Sequence, residues 1–155
     1  MTYKVIAWIN KDPLSARDFA RNLYGSRREI DFGVRPILSI CNAITEVEES
    51  VLDLIVIDTY ANLGENCSDQ KIMKIISKVK KQGKTKPEDH IRSSLRLIEI
   101  IRGEDSANKK TPVIVTSNYE NEKESYLKAG TNHYLLSEKN SRDNLINIAV
   151  RELKI

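Results

Sequence analysis

The chemically most suggestive residue in this sequence is an acid in an apolar setting. Leu52-Asp53-Leu54-Ile55-Val56-Ile57 is a largely apolar run, and it closes on Asp58 and Thr59. A carboxylate there is partly stripped of water unless something pairs with it, and burying an unpaired charge is costly. Asp58 is therefore either a reactive carboxylate or an acid that caps the loop after it. Three other apolar runs also end on polar residues. Lys4-Val5-Ile6-Ala7-Trp8-Ile9 leads into Asn10, Lys11 and Asp12, Pro112-Val113-Ile114-Val115-Thr116 into Ser117 and Asn118, and the run ending at Leu136 into Ser137. Strands of one parallel sheet would gather these residues beyond their carboxyl ends, where open α/β sheets bind ligands.

Other chemistries find little support. The two histidines, His90 and His133, are too scattered for a zinc site or a Ser-His-Asp triad. Cys41 and Cys67 have no metal-ligand spacing and suit a reducing compartment, which with no leader-like start argues for the cytoplasm. Asn10-Lys11-Asp12-Pro13 is a poor phosphate cradle, so a flavodoxin-like enzyme or FMN carrier is disfavoured. No apolar run reaches the roughly 20 residues of a membrane span.

The elements that must hold these residues alternate. Apolar runs at 4–9, 36–41, 52–57, 112–116 and 132–136 read as strands. Between them the spacing predicts helices over 13–24, with Gly25 as its stop, and over 43–50, 91–102 and 119–129, with a last helix from Ser141. Each crossover lays a helix on a face of the sheet, so the expected fold is α/β with a parallel sheet covered on both sides. With 155 residues, 40% hydrophobic and 30% charged, the chain is sized for one such domain.

Residues 62–89 interrupt this rhythm, being far longer than a usual βα loop. Apolar Ile72, Met73, Ile75, Ile76 and Val79 predict an inserted amphipathic helix over 71–82. Lys71 to Lys86 holds seven lysines and no acid, so this segment carries +7 and the rest of the chain, within a total of +3, carries −4. That is not the uniform basic footprint of a nucleic-acid-binding domain. The helix is read as an apolar stripe on the body with its lysines in solvent, or as a surface for an anionic partner or membrane.

"KVIAWINKDPLSARDFARNL", "DLIVIDTYA", "SSLRLIEIIRG", "TPVIVTSN" and "AGTNHYLL" follow the order and near spacing of the receiver domains of bacterial response regulators. The chain resembles that family over about 125 residues, the remainder being the insertion, as one domain would. The resemblance implies a flavodoxin-like (CheY-like) five-stranded parallel sheet of order 2-1-3-4-5. It also implies a phosphoryl group accepted at Asp58 from a histidine kinase, an acid pair holding Mg²⁺ after the first strand, a hydroxyl at Ser117, a switching aromatic at Tyr134 and a lysine after the fifth strand.

This sequence departs from that pattern. Asn10 and Lys11 stand at the acid-pair positions, with Asp12 one place late, and Ser137 stands where the lysine belongs, with Lys139 as a substitute two residues on. Asp12 and Asp58 remain as candidate Mg²⁺ ligands. An ammonium beside Asp58 repels a cation and attracts the carboxylate, so Lys11 is expected either to pair with Asp58 or to be a solvated loop lysine. The expectation is a degenerate, pseudo-receiver-like module working by protein–protein contact, with no catalysis beyond self-phosphorylation and autodephosphorylation at Asp58. The alternative is a working receiver. Expected partners are a histidine kinase or a downstream effector, with no direct nucleic-acid contact; the resemblance also leaves room for a homodimer through the face around the fourth helix and fifth strand, without requiring one.

Overall fold

The computed structural model describes residues 3–26, 31–137 and 141–153. In chain order the elements are β1 (Lys4–Ile9), α1 (Pro13–Ser26), β2 (Phe32–Ile37), α2 (Ile40–Glu49), β3 (Leu54–Asp58) and α3 (Gln70–Gln82). They continue as α4 (Pro87–Ile101), β4 (Val113–Ser117), a 3-10 turn at Glu120–Glu122, α5 (Lys123–Ala129), β5 (His133–Leu136) and α6 (Ser141–Leu153). The strands form one sheet in the order β2-β1-β3-β4-β5, with every pairing parallel. That is the order expected of a flavodoxin-like sheet.

The central strands are apolar on both faces because both faces are covered. Ala7, Ile9, Ile55, Ile57, Val113 and Val115 pack into a core with α2, α3 and α4. Ile6, Trp8, Leu54, Val56 and Ile114 pack into a second core with α1 and α6. Trp8 stacks on Phe19 with ring centroids 4.5 Å apart, and its Nε1 donates to Ser15 Oγ at 2.7 Å. Apolar burial of this kind is the main driving force of the fold.

Several element bounds differ from the sequence pattern: α4 begins at Pro87 rather than at 91, α5 begins at Lys123 after the 3-10 turn, and the second strand is displaced. The second strand is Phe32–Ile37, not 36–41, and Ile40 and Cys41 already belong to α2. β2 is an edge strand whose residues are mostly half-exposed, so it lacks an apolar run and tolerates Pro36, which cannot donate to a ladder. Ser39 starts α2 by accepting a hydrogen bond from Asn42 N at 3.1 Å, so the apolar run 36–41 is split by a helix cap. α1 also continues through Gly25 to Ser26. Leu14 is exposed, while Ala16, Phe19 and Leu23 are buried.

The predicted inserted helix is α3. It forms an antiparallel hairpin with α4. Asp69, its N-cap, accepts from Arg96 Nη2 at 2.8 Å and Nε at 3.1 Å, while Lys78 near its other end reaches Asp89 at 3.3 Å. The loop leading to α3 lies against the start of α2, where Ile40 N donates to Asn62 O and Cys41 N to Leu63 O. Gly64 there has φ +103°, and a Cβ on it would sit 2.9 Å from Cys41 Cβ, so both backbone and space require glycine.

Candidate functional site

Parallel pairing brings the ends of β1, β3, β4 and β5 to one edge of the sheet. Asp58 is the last residue of β3 and pairs with Thr116. Its Oδ2 accepts from Asn10 Nδ2 at 3.1 Å and its Oδ1 from Tyr60 N at 2.8 Å. The Asn10 amide is itself oriented, because its Oδ1 accepts from Asp12 N at 2.9 Å and leaves the NH₂ for the carboxylate. Burial holds the Asp58 carboxyl above the ordinary carboxylate range, opposed by the Tyr60 amide, the Lys11 charge, His90 and the Asn10 amide.

Lys11 does not form the expected ion pair with Asp58. The exposed side chain places its Nζ 5.7 Å from the centroid of the Tyr60 ring. Both carboxylate oxygens already have neutral donors, and an ammonium at the rim keeps its hydration, which a buried pair would forfeit. Lys11 still favours the ionised carboxylate, from a distance. Asp12 turns away, with Oδ1 accepting from Leu14 N at 3.0 Å as a cap on α1.

Ser117 is 1% exposed, and its Oγ accepts from Tyr119 N at 2.9 Å and from Thr59 Oγ1 at 3.3 Å. Ser137 follows β5, with N and Oγ on Ser117 O at 2.8 and 3.3 Å. Tyr134 is buried, packs 5.2 Å from the Tyr126 ring and donates its hydroxyl to the Tyr119 carbonyl. Behind it, the Tyr126 hydroxyl and Ser94 Oγ lie 2.6 Å apart. Lys139 lies outside the described residues.

Three aromatic residues absent from the sequence-derived set complete the site. The Tyr60 ring meets His90 edge-on at 5.4 Å and Tyr119 at 5.3 Å. His90 Nδ1 and the Tyr119 hydroxyl are buried and make no well-formed hydrogen bond among the described residues, although the Ala61 backbone and the Tyr60 side chain act on them. Burial holds His90 below its ordinary range and pushes the Tyr119 hydroxyl far above its own, so both are neutral at pH 7. Tyr60 and Tyr119 each stand two places beyond a strand-end polar residue, a spacing visible in the sequence. His90 arrives on α4, and nothing local marks it.

These residues do not fit Mg²⁺, which wants a cage of oxygen ligands with carboxylates among them. Asn10 Oδ1 and Asp12 Oδ1 each accept from a backbone amide, the latter as a helix cap, and an ammonium stands at the rim. Among the described residues, no three Asp, Glu, His or Cys side chains converge as a metal site.

No protein-family model and no curated protein matches the chain. Solved structures do match in fold. Chemotaxis response regulator CheY4 of Vibrio cholerae aligns with TM-score 0.66 at 12% identity, over 98% of this chain and 100% of its own. The receiver domain of Francisella response regulator 1452 gives 0.63 at 22% identity, over 97% and 96%. The receiver domain of a sensor histidine kinase from Pseudomonas aeruginosa PAO1, solved with magnesium in its active-site cleft, gives 0.62 at 15%, over 99% and 100%. The chain therefore has the receiver fold, and at these identities the likeness is one of fold alone.

Proposed function

We propose that this chain is a degenerate receiver-like signalling module that works by protein–protein contact and does not depend on Mg²⁺-assisted phosphorylation. One observation carries this reading: Asp58 is satisfied by an amide side chain and a backbone N–H, with an ammonium at the rim where receivers would place acids. Phosphoryl transfer relies on neutralising the equatorial oxygens, largely with metal ions. Asn10 and Lys11 supply one neutral donor and one mobile charge instead.

In this reading the neutral aromatic cover of Tyr60, His90 and Tyr119 fixes the shape of the surface over Asp58, and a histidine kinase or effector recognises that shape. Incubation with acetyl phosphate and Mg²⁺, read on a phosphate-affinity gel, is expected to give no retarded band. A stable Mg²⁺-dependent phosphoprotein, lost in Asp58→Asn, overturns the proposal and favours the second reading, a phosphorylatable receiver. That reading rests on Asp58 and Ser117 standing at the ends of adjacent strands.

A further inference from the structure

The two faces of α3 have been put to different uses. Its inner face, Ile72, Ile75 and Ile76, is buried in the core, and its ends are tied to α4 by Arg96 and Asp89. The outer face is a shallow groove of about 520 Å³ bordered by Lys74, Ser77, Lys78 and Lys81, with half-buried Met73 beside them. Lys71, Lys80 and Lys84 are exposed alongside. Among the described residues Lys78 alone of these lysines is ion-paired, to Glu88 and Asp89, so the other lysines have no salt-bridge partner there.

We propose that this face docks an acidic amphipathic helix of a protein partner. Its carboxylates would meet Lys74 and Lys81, and an apolar side chain would seat on Met73. The lysines recur at three- and four-residue steps, the period at which a second helix presents carboxylates along one stripe. Met73 supplies an adaptable apolar contact in the middle of the charged face. Membrane insertion is disfavoured because the apolar stripe a lipid surface would take is already inside the protein. Nucleic acid is disfavoured because residues 70–86 offer no arginine for bidentate phosphate contact and no aromatic ring for stacking bases. The inference stands on α3 alone and holds whether or not Asp58 accepts a phosphoryl group.

The test is fluorescence anisotropy with a labelled peptide of about 20 residues, Glu-rich with leucines at helical spacing, long enough to form a helix. Parallel arms use a scrambled peptide of the same composition, a DNA duplex, phosphatidylserine vesicles and the unlabelled protein itself. The amphipathic peptide is expected to bind in a salt-sensitive way and better than its scrambled form. The Lys74→Glu/Lys81→Glu protein should bind it about tenfold more weakly, through lost attraction and added repulsion. Both positions are exposed, and far-UV circular dichroism checks that the variant is folded. Equal binding of the two peptides, unchanged binding by the variant, tighter binding of duplex or vesicles, or self-association abolished by the same substitutions would each overturn the proposal.

Discussion

At the end of the sheet where the strands begin, Asn108 and Arg102 gather a dense hydrogen-bond network, with Thr131 Oγ1 left unpartnered among the described residues; at the end where the strands finish, the buried polar groups make fewer bonds. Asn108, fully buried, accepts from Leu52 N at 2.8 Å and from Thr111 Oγ1 at 3.0 Å, and donates to the carbonyls of Val47 and Ser50 at 2.8 and 2.7 Å. Arg102 donates to the carbonyls of Lys109, Thr111 and Gly130 and to Asn132 Oδ1. At the other end Asp58 is desolvated and held by two neutral donors, with no ion pair among the described residues, and His90 Nδ1 and the Tyr119 hydroxyl make no well-formed hydrogen bond there. A fully satisfied network stabilises and specifies a fold, and a partly satisfied one is costly to keep. The difference assigns stability to the first end and, in the proposed reading, leaves the second for recognition.

The sharpest way to break this contrast is Asn108→Ala. It orphans the Leu52 amide and two carbonyls inside the protein, so a loss of about 3 kcal/mol is expected, read in urea denaturation as a lower midpoint at unchanged slope. A loss below about 0.5 kcal/mol would show that this end carries no special stability.

Asp58→Asn should act in the opposite direction. Because burial raises the folded-state carboxyl above its unfolded value, ionisation opposes folding as pH rises between the two, and the neutral amide removes that penalty. The variant is expected to melt about 2 °C or more above the parent at pH 7, with the gap closing below about pH 4, where both side chains are neutral. A variant less stable at pH 7 would show that the carboxylate is compensated after all.

The smallest expected effect belongs to Lys11→Met. Melting should hardly change, since the side chain is exposed, but the Asp58 titration midpoint, followed by NMR, should rise when the nearby positive charge is gone. An unmoved midpoint would show that the rim lysine does not act on the acceptor.

Much of the stable framework was legible in the sequence. β1, β3 and β4 are buried on both faces and therefore continuous in apolar residues, and the stripe of α3 is regular. β2 was not, because an edge strand half in water needs no apolar run and Ser39 caps a helix inside the run that suggested one. At the site, strand-end residues were legible because a polar residue closing an apolar run marks a sheet edge. What they do there was less so. The pairing of Lys11 with Asp58 failed because charge arithmetic does not reveal that Asn10 and the Tyr60 amide already occupy both oxygens. His90 was missed because it reaches the site by tertiary packing of α4.

The claim that this end of the sheet is built without a metal is tested most directly by titrating Mg²⁺ calorimetrically into the parent and into Asn10→Asp/Lys11→Asp. The parent should give no binding heat at magnesium concentrations where the variant, with two added carboxylates beside Asp58 and no ammonium at the rim, does. Equal binding by the two proteins would contradict the account.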